Sequence, residues 1–525
     1  MRRWLCKILI LALCLLVLQA PVALALTPEG STPATAEKSS LRSALYEADI
    51  VSLRRAIDAV VLTCRELTEY YLERIRAYNA PYNCFITLCD DALEQADARD
   101  TQLRNGTAEG SLFGIPVVVK DNIHVAGLPT TNGYAGKAAP AETNAAVVEY
   151  LLAEGAVILG KTNMSTAAQD ARISKSAAAG ETKNAYNAAM ASGGSSGGSA
   201  VAVSLNFAAA GLGTDTNSSL RLPAALNGCI SLRSTTKTLS TAGILKLNGS
   251  RDVPGVITRT VTDQALMLDV LSGGTTAYAE NLNPNVLEGA RIGVLEELSY
   301  PREKGERREK YCCPEVAAAF AAAVEELRVC GAEVRTVSLP NLFELAEATL
   351  CDGGWSNIPR YTAAFEAFLQ REGLDAVVFP TCLSAPQHSG ADETGKVWRV
   401  DSQPFINNCR LLAPSAAVPE ISVPIGIHSS GVGIGMEMAA AQGQEQLLLD
   451  LAYAYTLRFD HRTVPAGAPD RYAFAHVGDL KAWLEACLAL EAPAEAPVPR
   501  ILSARSEPEE TGGSRLRAWF TALFD

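Results

Sequence analysis

Gly114-Ile115-Pro116-Val117-Val118-Val119-Lys120-Asp121-Asn122 is the stretch that decides the fold. Five apolar residues run without a polar break, β-branched for the most part, between a glycine and Lys120-Asp121-Asn122. A short apolar run of this kind, bounded by turn residues, reads as a strand buried on both faces. The reading covers Leu112 to Ile123, a strand entering a loop. Downstream, Ala145 to Glu154 has a helical pattern and Ala156 to Leu159 is a second short buried strand. Upstream, Thr63-x-x-Glu66 is a capping box that opens an amphipathic helix through about Tyr78.

The alternation continues toward the C-terminus. Gly193 to Gly213 begins as a Gly/Ser loop and becomes small and apolar. Pro314 to Cys330 is an Ala-rich helix, followed by a strand around Glu333 to Val337. Asp375 to Phe379 and Glu420 to Ile425 read as further strands, and Gln444 to Leu457 as a late amphipathic helix. Strands alternating with helices predict an α/β fold in three layers, α/β/α, with a large mixed central sheet flanked by helices in a single catalytic domain. That domain is expected over 41–490, after a flexible lead at 26–40 and before a Pro/Ala/Glu linker and short amphipathic tail at 491–525.

The chain has 525 residues, 48% of them hydrophobic, and a net charge of −13. An acidic balance argues against binding a phosphate backbone, which needs clustered Lys and Arg, so no nucleic acid partner is expected. Arg2 and Arg3, the apolar stretch from Ile8 to Leu18 and Ala23-Leu24-Ala25 follow the pattern of a cleaved secretory signal over 1–25. The apolar core is short of the ~20 residues a membrane span needs. An exported location, secreted or in the cell envelope, follows as an expectation. Trp519 and Phe520 in the tail are compatible with membrane contact, though such tails more often pack on their own domain. Thirteen cysteines are present, eleven of them after Ala25. They read as buried structural thiols with a few bridges among them. The five histidines are scattered, no zinc-ligand spacing occurs, and no metal is expected.

Gly155 to Thr162 fits the pattern G-x-x-x-x-G-K-T of a phosphate loop. The four middle residues are apolar and belong to the second buried strand, so the supposed cradle would itself be buried. The match is rejected.

Three segments carry candidate chemistry. Lys120 ends the first strand, where desolvation favours the neutral amine and a neutral lysine can serve as a general base; a surface-seeking lysine is the plainer alternative. Ser192-Gly193-Gly194-Ser195-Ser196-Gly197-Gly198-Ser199 lies between apolar segments, which places it inside a domain and not in a linker. Gly211-Leu-Gly-Thr214-Asp215-Thr216-Asn217-Ser218-Ser219-Leu220-Arg221 follows, with Asp215 and Arg221 spaced to pair and fix a loop, or to form an ordinary surface ion pair.

Taken in this order, the three segments resemble the amidase signature family. Gly114 to Gly133 (GIPVVVKDNIHVAGLPTTNG) is similar to that family's lysine segment almost throughout. Gly160 to Ser165, Thr182-Lys-Asn184, Asp252 to Gly273, Leu374 to Thr381 and Pro419 to Gly426 also match. The resemblance covers roughly Ser43 to Leu457 and is weak over Thr275 to Asn341. It implies a triad in which Ser219 is the nucleophile, Ser195 the cis-peptide serine between nucleophile and base, and Lys120 the base. It implies an oxyanion hole from the backbone of Thr216, Asn217, Ser218 and Ser219, with Ser196, Asp215 and Arg221 in support. The implied activity is hydrolysis of carboxamide C–N bonds, simple amides or peptide amides, through a Ser219 acyl-enzyme with no cofactor. The implied partner is a small-molecule amide or peptide-amide substrate; monomer and homodimer both stay open. The family usually has two glycines before the nucleophile, where this chain has Asn217 and Ser218, and Lys-Pro-Thr where this chain has Arg233-Ser234-Thr235. The first departure keeps a non-catalytic amide-binding envelope protein on the same fold as the alternative. Transfer-RNA amidotransferase subunits resemble the same family, and the export signal argues against that role.

Overall fold

A computed structural model describes residues 42, 44–299, 313–350, 354–383 and 407–470. The expected signal at 1–25, the lead, the linker and the tail lie outside these residues. The first apolar stretch forms β2 (Pro116–Lys120), with every residue buried. Its parallel neighbours are β3 (Val157–Thr162) on one side and β6 (Ala210–Asp215) on the other. The sheet extends outward from this trio. β1 (Phe85–Leu88) closes one edge antiparallel to β3. Beyond β6 come β8 (Val253–Thr258), β7 (Ile230–Arg233), β12 (Glu420–Ile427), β13 (Gly433–Ala439), β11 (Ala376–Pro380), β9 (Arg291–Leu295) and β10 (Glu333–Val337). The eleven strands make one mixed sheet flanked by helices, as the sequence predicts. A small hairpin, β4 (Ser174–Ser176) with β5 (Gly180–Thr182), stands apart.

The local reasons are the ones expected. Thr63 caps the helix Cys64–Tyr78, with Glu66 closing the box from the third position. The helix Pro314–Val329 starts on a proline, whose missing N–H is free at that position. The apolar faces of Ile50–Asp58, Cys64–Tyr78, Val261–Leu271 and Glu445–Arg458 join the strands in one large core. A second cluster around Tyr361, Phe365, Phe368 and Phe379 fills the far end. The late part of the Gly/Ser segment differs from the simplest expectation. Gly197–Ser204 is a helix with every residue buried, and only then does the chain enter β6. Among the described residues eight cysteines are buried thiols outside any disulfide, and the other three after Ala25 lie outside those residues. No described helix is long and apolar enough to cross a membrane.

Candidate active site

β3, β2 and β6 run parallel and end at one edge of the sheet. Ligands of α/β sheets bind outside such carboxyl ends. Lys120 is the last residue of β2 and Asp215 the last of β6. The helix Gly197–Ser204 packs behind this edge so closely that only glycine fits. A Cβ at Gly198 would stand 2.3 Å from the Asn163 carbonyl oxygen. One at Gly213 would meet Ser196 Oγ at 2.8 Å. A small apolar cluster of Ala200, Val203, Leu220, Ala224, Cys229 and Ile257 ties this helix to the segment after Ser219.

The Gly194–Ser195 peptide bond is cis. Lys120 is fully buried, and its Nζ lies 2.7 Å from Ser195 Oγ and 2.8 Å from Thr214 Oγ1. Asn122 Nδ2 donates to the same threonine hydroxyl at 3.1 Å. Burial pushes the Lys120 amine down to about 7, against the opposing pull of Asp215 and Asp252. An amine in that range is largely neutral just above neutrality and can take the Ser195 hydroxyl proton. The Ser196 N–H donates to the Ser219 carbonyl at 3.1 Å, which sets the Gly/Ser segment against the third segment. Ser196 Oγ donates to the Thr214 carbonyl at 3.2 Å. Ser219 is 4% exposed.

The N–H groups of Asn217, Ser218 and Ser219 have no hydrogen-bond partner among the described residues. The directions of the Ser218 and Ser219 N–H groups are nevertheless fixed, because a peptide unit is planar and the carbonyl of the preceding residue sets each N–H. The Asn217 carbonyl accepts from Arg221 Nη2 at 3.2 Å, and the Ser218 carbonyl from the Leu222 N–H at 3.0 Å. The Asp215 carbonyl accepts from Arg233 Nη1 at 2.6 Å, which orients the next N–H, that of Thr216. Oriented, unpaired donors in a nearly buried place suit an anionic oxygen.

Asp215 and Arg221 do pair, but in the core and not on the surface. Arg221 Nε lies 3.1 Å from Asp215, and Arg221 also binds Glu420 and Glu437. Arg233 joins the cluster at 3.2 Å from Asp215. All five side chains are fully buried. Burial works against the Asp215 carboxylate, yet the two guanidiniums hold it below its ordinary value. Burial pushes the Glu420 carboxyl well above its ordinary value, with the neighbouring Glu437 adding to the shift and Arg221 opposing it. Arg233, treated in the sequence only as a change of loop shape, is a buried strand residue that anchors Asp215. Sequence reasoning missed Asn122, Thr214, Arg233, Glu420 and Glu437 as parts of this site. Glu420 gave a signal: a carboxylate inside an apolar strand.

Lys161 of the rejected phosphate-loop match is buried in β3, 3.4 Å from Asp121. Burial lowers it to about 8, opposed by Asp121. No cluster of three metal-ligating side chains occurs among the described residues.

A family model described as Amidase matches residues 66–367, more than half of the chain. The chain belongs to the amidase family. One of the subunits of Glutamyl-tRNA(Gln) amidotransferase from Chlorobium luteolum is 35% identical over 303 residues, 55% of this chain and 60% of that protein. The chain thus spans about 60% of the length of the curated relatives it matches. Two solved structures are similar over 80% of this chain. The native peptide amidase from Stenotrophomonas maltophilia is 28% identical, with a TM-score of 0.69 over 98% of its length. The peptide amidase bound to the competitive inhibitor chymostatin is 29% identical, with a TM-score of 0.69 over 99% of its length.

Proposed function

We propose that this member of the amidase family is an exported hydrolase of carboxamide C–N bonds, acting on small amides or the C-terminal amides of peptides. The observation that carries the reading is the buried Lys120 amine 2.7 Å from Ser195 Oγ, with Ser219 held beside that serine through Ser196. A serine hydroxyl is a weak nucleophile and needs an adjacent base. Neutral Lys120 draws the Ser195 proton as Ser195 draws that of Ser219. Ser219 Oγ attacks the amide carbon, and the oxygen that becomes negative turns toward the N–H groups of Thr216, Asn217, Ser218 and Ser219. The relay returns the proton to the nitrogen, the C–N bond breaks, and ammonia or an amine leaves. Water, activated by the same relay, releases the acid from Ser219. Export rests on the N-terminal sequence pattern alone. The peptide-amide class is supported by the two peptide amidases that share the fold.

A second reading, one component of an amidotransferase, is favoured by the curated relatives. The test is ammonia release from a panel of aliphatic, aryl and peptide amides by the purified chain alone. Release that disappears in Ser219→Ala is expected. Release only when a partner protein is added would favour the amidotransferase reading, and release unchanged in Ser219→Ala would overturn the assignment.

A further inference from the structure

The two residues before Ser219 carry side chains, and both are held from outside their own loop. Arg251 Nη1 donates to Asn217 Oδ1 at 3.2 Å. Asn407 Nδ2 donates to Ser218 Oγ at 2.7 Å. The two donors come from segments 34 and 189 residues away in the chain. Each donor is itself anchored. The Arg251 carbonyl accepts from Arg233 Nη2 at 2.7 Å, which ties it to the Asp215 cluster. Asn407 Oδ1 accepts from Cys409 Sγ at 2.8 Å. Arg251, Asn407 and Ser218 are all buried. Thr216, one step earlier, donates its hydroxyl to Asp252 at 2.6 Å.

Three consecutive side chains are therefore gripped, while the N–H groups of Asn217, Ser218 and Ser219 stay unpaired. Glycines would leave nothing for Arg251 or Asn407 to hold. Non-glycine residues here would also be free to turn toward competing local hydrogen bonds, which Asn and Ser side chains readily form with nearby backbone. We propose that Arg251 and Asn407 are positioning residues that brace Asn217 and Ser218 from two separate segments, so that a segment without glycines keeps its N–H donors aimed at the reacting oxygen. The brace rests on the reading of Ser219 as nucleophile and of this stretch as the oxyanion site.

A double-mutant cycle on the full chain separates a brace from general stabilisation. The readout is the rate of Ser219 labelling by a fluorophosphonate, whose phosphoryl oxygen takes the oxyanion position, with melting temperature recorded beside it. Arg251→Met and Asn217→Ala each slow labelling by about 10-fold, less than the ~10²–10³ of losing a donor outright. The double variant is no slower than the slower single one, and Arg251→Lys recovers part of the rate. Asn407→Ala with Ser218→Ala behaves in the same way, and this pair decides if Arg251→Met does not fold. Unchanged rates, or penalties that multiply in the double variants, overturn the brace. A parent chain that takes no label on Ser219 defeats the hydrolase reading itself, and the brace with it; label on Ser219 with multiplying penalties removes the brace alone.

Discussion

At the scale of single residues, the account turns on a lysine without its charge. Lys120 is pushed down to about 7 by burial, so it is protonated and inert as a base below that pH and neutral above it. The rate of amide hydrolysis should therefore rise through about pH 7 and level off, a limb visible in a kcat/KM profile. Lys120→Met should remove the limb and lower kcat by about 10²–10⁴-fold, the usual worth of positioned proton transfer. The second residue-scale claim concerns Asp215, which accepts from Arg221, Arg233 and the Leu220 N–H. Asp215→Ala removes the carboxylate shared by two buried guanidiniums, leaving Arg221 to Glu420 and Glu437 and Arg233 without a carboxylate, and should cost about 3–5 kcal/mol in denaturant unfolding. Lys120 was legible from its place at the end of an apolar strand and the Asp215–Arg221 pair from its spacing, whereas Ser195 and Ser219 were legible only through the resemblance to the amidase signature family. Thr214, Arg233 and Glu437 were not, because what gives them a role is the pairing of strands far apart in the chain.

At the scale of elements, apolar runs were the legible part. The strands of Pro116–Lys120, Glu333–Val337 and Ala376–Pro380 fall where hydrophobic patterning puts them, and the Thr63 capping box starts its helix. The helix Gly197–Ser204 was not legible, because two of its eight residues are glycines, which oppose helix formation unless packing compensates. Packing does so here: the bare Gly198 backbone lies against Asn163 and Cys84. Gly198→Ala has no flexible side chain to displace there, only backbone. It should push the helix outward, destabilise the chain by about 1–3 kcal/mol as overpacking does, and move Ser195 and Ser196 with it. A fall in both melting temperature and turnover checks this. β3 shows why a motif must be read with its element. Its Gly-Lys-Thr ending is buried sheet, and Lys161 pairs with Asp121 at 3.4 Å.

At the scale of the whole molecule, one mixed sheet gathers segments that lie far apart in the chain into a single edge. The layering was legible in the alternation of strands with helices. The order of the strands beyond β6 was not, since most of their pairings join segments far apart in the chain and leave no local trace. The cysteines carry a prediction of the same scale. Eight are buried thiols outside any disulfide among the described residues, so thiol titration in denaturant without reductant should count at least eight per chain. A lower count would mean bridges that this fold does not hold. The central claim is that the fold makes Ser219, and neither Ser218 nor Ser195, the attacking group. Peptide mapping by mass spectrometry after fluorophosphonate treatment tests it most directly. The account predicts one adduct, on Ser219, abolished in Ser219→Ala and slowed in Lys120→Met; an adduct on Ser218 or Ser195, or one that survives in Ser219→Ala, would contradict it.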